Sequence, residues 1–384
     1  MSDIILLIYS AGAVNSIYGL LVMSFLIVFL RQMLKYRKVY LNGINSIGFF
    51  LLFAFGFSYV LIGEFSTQGL LYYFFCPLLA YLTGWTLAEY SNVNAENRIK
   101  RMIFAIMVGY SIHALLNYII NIGHKRWELT DFFSGSLRAA TGSGCINTLA
   151  FSLLMYIIVM GKGMSQKMIG LGCVLPSILY AFLLGSRTQF LILGIVSFLF
   201  LAIWLFEKYG IKSVLLLILI VSLLVGSGIY IYQHNILGVK LYIDSSNLMT
   251  RYQIGYDIKS TDNYRTSSVM RGLNNVFSYP LGGLKEISYY HNFWLDIGRV
   301  SGVFPFLSMV VYTVFVNLHM MSIFKDRHID DRFRYLIFCS YLGYQVNFFV
   351  EPVLEGLIDF FFVFTIINGM IECYYYHAIK DKHM

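Results

Sequence analysis

Apolar runs long enough to cross a bilayer, about 17–25 residues each, recur along almost the whole chain and leave little sequence between them. Backbone in hydrocarbon must satisfy its own hydrogen bonds, so such runs are forced into helices. Runs at 9–30, 44–63, 69–89, 102–122, 143–161, 168–185, 189–206, 213–232, 300–322, 335–350 and 357–376 are expected to span, about eleven in all. Charged residues are 12% of the chain, about half the share usual in soluble domains. The run from Ile4 has no basic residue before it and no small-residue cleavage site before Arg31, so it is expected to remain as a span. The expected fold class is an all-α polytopic membrane protein.

Basic residues in short loops set the orientation. Arg31, Lys35, Arg37 and Lys38 follow the first run, Arg98, Lys100 and Arg101 the third, and Lys162 and Lys167 the fifth. Lys208 and Lys212 follow the seventh, Lys325, Arg327, Arg332 and Arg334 the ninth, and Lys380 and Lys382 the last. These loops alternate onto one side, which is therefore expected to be cytoplasmic, with its basic loops facing anionic lipid. The N-terminus is expected outside. Three parts follow: a transmembrane bundle of about eight spans over 1–232, an extracytoplasmic loop over 233–299, and about three spans with a short tail over 300–384.

Cys76, Cys145, Cys173, Cys339 and Cys373 lie in or against apolar runs, without metal-ligand spacing, and read as small buried hydrophobes. There is no P-loop, no dinucleotide glycine fingerprint and no Asp-x-Asp pair. A nucleotide-driven or metal-dependent activity is not expected, and no cofactor or metal is called for.

Cations on the outer side run against the orientation bias. They are Lys125 and Arg126, then Arg138 before Thr141-Gly142 and Asn147, Arg187 in the hinge Gly185-Ser186-Arg187-Thr188-Gln189, and a set in the long loop. That set is Lys240, Arg251, Lys259, Arg265, Arg271 and Lys285. Arg187 sits between two apolar runs, where a cation costs roughly 2.5–3.5 kcal/mol at membrane depth. It either faces a cavity or partner or snorkels to the headgroups. Several arginines at a membrane face suit a phosphate or diphosphate on a lipid, because guanidinium matches phosphate oxygens bidentately and can stabilise charge on a departing diphosphate. His291, at the end of the long loop, has the side chain best suited to take a proton near neutral pH; the alternative is a cap or a loop hydrogen bond. His113, inside the fourth run, reads as a hydrogen-bonded bundle residue. Tyr242, Tyr252, Tyr256, Tyr264, Tyr279, Tyr289 and Tyr290 fit either sugar stacking or an interfacial aromatic belt. Val269, Leu273 and Val276 have helical spacing, which predicts an amphipathic helix over 265–276.

Taken in order, Arg265, Pro280-Leu281-Gly282-Gly283, His291-Asn292 with Leu295, and Gly298 to Gly302 before a span resemble the signature of the O-antigen polymerase and ligase superfamily. Ser186-Arg187 between spans and Arg138 with Thr141-Gly142 and Asn147 are similar to that family's outer-edge motifs. The chain departs from the usual pattern at Tyr279, where histidine is frequent, and at Gly282-Gly283, where Gly-x-Gly is common. The resemblance implies a GT-C-like bundle with its active loop on the periplasmic side of a bacterial inner membrane. It implies metal-independent, inverting glycosyl transfer from undecaprenyl-diphosphate-linked oligosaccharide. Carried over by position, Arg187 and Arg265 bind the donor diphosphate and His291 activates the acceptor hydroxyl. Arg138, Arg271, Asn292, Tyr290, Gly282 and Gly283 form the substrate-binding set. The partners so implied are lipid-linked donor and acceptor, membrane lipids and, optionally, a chain-length regulator; nucleic acid is not among them. A polymerase is preferred, a ligase is the alternative with the same chemistry, and a flippase is the alternative of another class. A flippase is disfavoured because no internal repeat is evident and the candidate cations share one face.

Overall fold

The computed structural model describes residues 2–12, 18–36, 42–89, 95–123, 128–244, 249, 264–287 and 289–378. Lys125, Arg126, Arg251, Tyr252, Tyr256 and Lys259 lie outside the described residues, as do the side chains of Arg265 and Thr141. The protein is nearly all-α. In chain order the helices are α1 (Ser2–Gly12), α2 (Tyr18–Tyr36), α3 (Ile47–Gly63), α4 (Thr67–Glu89), α5 (Ala95–Ile120), α6 (Gly142–Met160), α7 (Gly163–Leu184), α8 (Arg187–Tyr209) and α9 (Ile211–Gln233). They continue with α10 (Val239–Asp244), α11 (Tyr264–Ser278), α12 (Phe293–Ser301), α13 (Val303–Lys325), α14 (Asp331–Val350), α15 (Val353–Gly356) and α16 (Ile358–Ala378). A two-stranded antiparallel hairpin, β1 (Glu128–Thr130) and β2 (Leu137–Ala139), follows α5.

Among the described residues eight helices are long and apolar enough to cross a membrane: α4 to α9, α13 and α16. The other expected runs differ for visible reasons. The run 9–30 carries parts of α1 and α2, and residues 13–17 between them lie outside the described residues. Helix α3 has 17 residues, and α14 opens with Asp331, Arg332 and Arg334. The ninth expected run begins later than 300, because Gly302 at φ 81° separates α12 from α13.

Hydropathy orders the bundle from the outside in. Lipid tails are as apolar as leucine, so apolarity alone does not draw helices together, whereas polar side chains seek the interior. Helix α9, with mean hydropathy 2.8, buries only Leu217. Helix α16, with 1.3, is buried along nearly its whole length and packs most extensively against α4. Two of its buried polar residues are bonded across the bundle: Glu372 accepts from the Tyr81 hydroxyl at 2.6 Å and from the Gly48 N–H at 3.2 Å. Asn368 donates to the Tyr312 hydroxyl at 2.8 Å and accepts from that of Tyr341 at 2.5 Å.

Among the described residues the basic loops after the third, seventh and ninth runs meet at one end, while Arg37, Lys38, Lys380 and Lys382 lie outside the described residues. Lys100 pairs with Asp330 at 2.5 Å, and Arg327 with Glu207 at 2.8 Å. The Tyr335 hydroxyl donates to Glu207 at 2.8 Å, and that of Tyr374 to Glu96 at 2.8 Å. All of these contacts join segments far apart in sequence.

Candidate active site

Helix α14 starts at the basic end and runs 20 residues, about 30 Å, so it delivers the turn 351–357 to the opposite end. Three distant segments meet that turn. The buried hydroxyl of Thr188 donates to Glu351 Oε1 at 2.5 Å. Asn292 Nδ2 donates to the Phe349 carbonyl at 3.5 Å. A Cβ on Gly142 would stand 2.5 Å from the Gly356 carbonyl oxygen, so those two backbones touch. One turn further into the bundle, Asn347 Nδ2 donates to Thr148 Oγ1 at 2.8 Å. Residues 349 and 351 are within about 7 Å along the chain. The Ser186-Arg187 hinge, the segment from Arg138 to Asn147, and His291-Asn292 are therefore brought to one place.

Within that place the predicted residues divide. Arg187 is exposed as the first residue of α8, held there by Gly185 in the left-handed region at φ 63°. Arg138, on β2, is half-buried beside Asp131, and its Nε has no partner among the described residues. Arg265 stands in the first turn of α11, which matches the helix predicted over 265–276, and Arg271 is exposed one to two turns on. His291 is half-buried at φ 53°, with its ring edge-on to Tyr289 at 6.2 Å. A non-glycine residue at such φ is uncommon and recurs at functional positions.

The rest of the motif is given to architecture. Asn292 caps α12, its Oδ1 accepting from the Leu295 N–H at 3.1 Å. Tyr290 is 3% exposed, its ring against Gly272 and its hydroxyl accepting from Asn275 at 2.5 Å. It fixes α11 on α12, and the ring left open is that of Tyr289. Gly282 and Gly283, at φ 69° and 83°, fold the loop onto the end of α12, where the Gly283 N–H donates to the Val300 carbonyl at 3.1 Å. A Cβ on Gly282 would stand 2.5 Å from that same oxygen. Gly282 thus serves close backbone approach, while Gly283, whose would-be Cβ meets open space, supplies the left-handed φ of the turn.

Sequence reasoning missed the cation that ties this end together. Arg299 is 1% exposed and donates through Nη1 to the carbonyls of Leu284, Lys285 and Ile287 at 3.3, 2.9 and 2.8 Å. Its Nη2 bonds Glu355 on α15, and its Nε faces Asp296 at 3.5 Å. Asp296 in turn accepts from the Tyr290 N–H at 2.8 Å and the Asn292 N–H at 3.3 Å, on either side of His291. The available signal was the Asp296-x-x-Arg299 spacing on a short helix.

Burial pushes the Asp296 carboxyl up to about 6, against the pull of the Tyr290 amide and Arg299. A carboxyl raised on folding lends stability below its unfolded pKa, and that stability is lost as pH rises through about 6. Between pH 4.5 and 7.5 it accounts for about 2 kcal/mol. In detergent, the thermal midpoint of wild type should fall over this range relative to Asp296→Asn; parallel profiles would exclude the effect. Asp131 does not contribute there. Burial raises its carboxyl, but the bond from His113 and the Ser134 N–H outweigh burial and hold it at about 2. His113 is a bonded bundle residue as expected, with Nε2 2.8 Å from Asp131 Oδ2.

Two further features adjoin the site. Asn147 and Gln189 are fully buried, and neither amide has a partner among the described residues. Gly144, one turn before Asn147, lies against Ser186 Oγ and Gln189 Nε2. Unpaired buried amides cost about 1–3 kcal/mol each, a burden that bound hydroxyls or phosphate oxygens would relieve. The second is an apolar cavity of about 400 Å³ that runs from Asn292 between α11, α13 and α14, past Leu273, Phe306, Val310 and Val314. Among the described residues no three His, Cys, Asp or Glu side chains are grouped to hold a metal ion. No family model and no curated protein matches the chain.

Proposed function

We propose that this protein is a polysaccharide polymerase of a bacterial inner membrane, an inverting glycosyltransferase with about eleven spans and its active face on the extracytoplasmic side. The observation that carries the reading is the meeting at the 351–357 turn of Ser186-Arg187, Arg138 to Asn147, and His291-Asn292, beside an apolar cavity. Arginines and unpaired amides on segments that meet at this turn, with an apolar groove that starts at Asn292, suit an amphiphile with a diphosphate and sugar head on an isoprenoid tail.

In this mechanism Arg187 and Arg265 hold the donor diphosphate, with Arg138 and Arg271 as further phosphate or sugar contacts. His291 takes the proton of the acceptor hydroxyl as its oxygen attacks the anomeric carbon. The bond from that carbon to the diphosphate oxygen breaks, undecaprenyl diphosphate leaves with the bonding pair, and the anomeric configuration inverts. Guanidinium charge opposite the leaving group lowers the barrier because negative charge grows there in the transition state. The Asp296 bonds to Tyr290 and Asn292 set the backbone on both sides of His291.

A flippase would draw on ionisable groups near mid-membrane. Asp359 lies in the first turn of α16, and Glu372 is committed to Tyr81 and Gly48. Their placement favours the transferase.

The test is complementation of a strain lacking this chain by wild type, Arg187→Ala, Arg265→Ala and His291→Ala at matched membrane levels, with surface polysaccharide resolved on a gel. Wild type should give a ladder and each variant a single repeat unit. Polymer retained on the lipid carrier would assign the ligase instead. Full ladders from all three variants would overturn both.

A further inference from the structure

A second cavity opens at the other end of the molecule and has no part in the proposed transfer. It encloses about 500 Å³ between the start of α5, the end of α6 and the start of α7. Four cations line it: Lys100, Arg101, Lys162 and Arg332. Lys100 is committed to Asp330 at 2.5 Å, and Asp330 also caps α14 by accepting from the Arg332 N–H at 3.3 Å. Arg101, Lys162 and Arg332 have no carboxylate within ion-pair distance among the described residues.

The lining is graded along each helix. On α5, Arg101 at the rim gives way to Phe104 and Val108, the latter about 10 Å deeper. On α7, Gln166 gives way to Ile169, which is 64% exposed and marks an opening to the side. On α6, Tyr156 and Ile157 lie below Lys162. A soluble anion would use the rim and leave the apolar depth wet. A membrane lipid has the matching gradient, with phosphate at the rim and an acyl chain below.

We propose that this cavity binds one anionic phospholipid, its headgroup phosphate on Arg101, Lys162 and Arg332 and one chain along Phe104, Val108 and Ile169. Basic pockets between spans on the cytoplasmic side are suited to such headgroups, and each nearby cation adds attraction for an anionic lipid.

The test is native mass spectrometry of the full-length protein, delipidated in detergent and titrated with phosphatidylglycerol, phosphatidylcholine or inorganic phosphate. A single phosphatidylglycerol adduct should form at about a hundredfold lower concentration than a phosphatidylcholine adduct. The combined variant R101Q/K162Q/R332Q should lose that preference. The combination K208Q/K212Q/K325Q, an equal charge change outside the cavity, should keep it. Val108→Trp, which fills the apolar depth, should weaken the adduct while leaving the cations in place. Equal binding of the two lipids, equal loss in both charge variants, or displacement of the lipid by millimolar phosphate would overturn the proposal.

Discussion

Arg299→Met should lower the apparent melting temperature of the detergent-solubilised protein by about 5 °C, the consequence of losing about 3–5 kcal/mol. The side chain is enclosed, so its removal strands every partner. Asp296 loses the cation that holds its carboxyl down and must take up a proton or bear an uncompensated buried charge, Glu355 loses its cation, and the carbonyls of Leu284, Lys285 and Ile287 lose their donor. Glu355→Gln retains an acceptor and should cost far less. The pair Arg299→Met with Asp296→Leu should recover part of the loss, because removing both charges ends the mismatch that removing one creates. Under the proposed function, loss of polymer is expected in Arg299→Met even where folded protein survives, since the clamp ties loop 284–287 and α15 to the helix that follows His291. Heating followed by size-exclusion chromatography reads the stability. A midpoint unchanged from wild type would mean that the clamp carries no weight.

The helices were legible in the sequence, and the contacts between them were not. Long apolar runs leave the backbone no alternative to helix, so eight spans follow from length and composition. The meeting of the described basic loops after the third, seventh and ninth runs was legible for a similar reason, since it is the outcome of alternation. The run 9–30 falls on α1 and α2, and the stretch 13–17 between them lies outside the described residues.

At the candidate site the legible part was the set of unusual residues, a cation between two spans and a histidine at the end of a polar loop. Their meeting depends on Phe349 near the end of α14 and on Glu351 and Glu355 in the turn that follows. Glu351 and Thr188 are 163 residues apart, and Arg299 and Glu355 are 56 apart. No local pattern marks such pairs. Tyr290 and Asn292 also take part in packing and capping, which their place in the motif did not reveal.

Gly84→Leu should abolish the monodisperse folded protein, because it would place a side chain where α4 and α16 have only backbone between them. A Cβ on Gly84 would stand 1.9 Å from the Ile366 carbonyl oxygen, and one on Gly369 would stand 2.1 Å from that of Tyr81. Without a hydrophobic drive between helices in lipid, close approach at small residues supplies the dispersion contact that holds them. The obstruction is backbone on both sides, so no rotamer change relieves it, and the cost should exceed the roughly 1–3 kcal/mol of ordinary overpacking. Separation would also break the Tyr81 bond to Glu372 and leave a buried carboxyl without its donor. Gly226→Leu on α9 is the matched control, because nothing lies within 4 Å of its would-be Cβ. It should behave as wild type or gain about 1 kcal/mol in helix propensity. Size-exclusion profiles of the two variants, expressed side by side, decide the matter. If both elute as wild type, α4 and α16 do not meet at these glycines, and the centre of the bundle lies elsewhere.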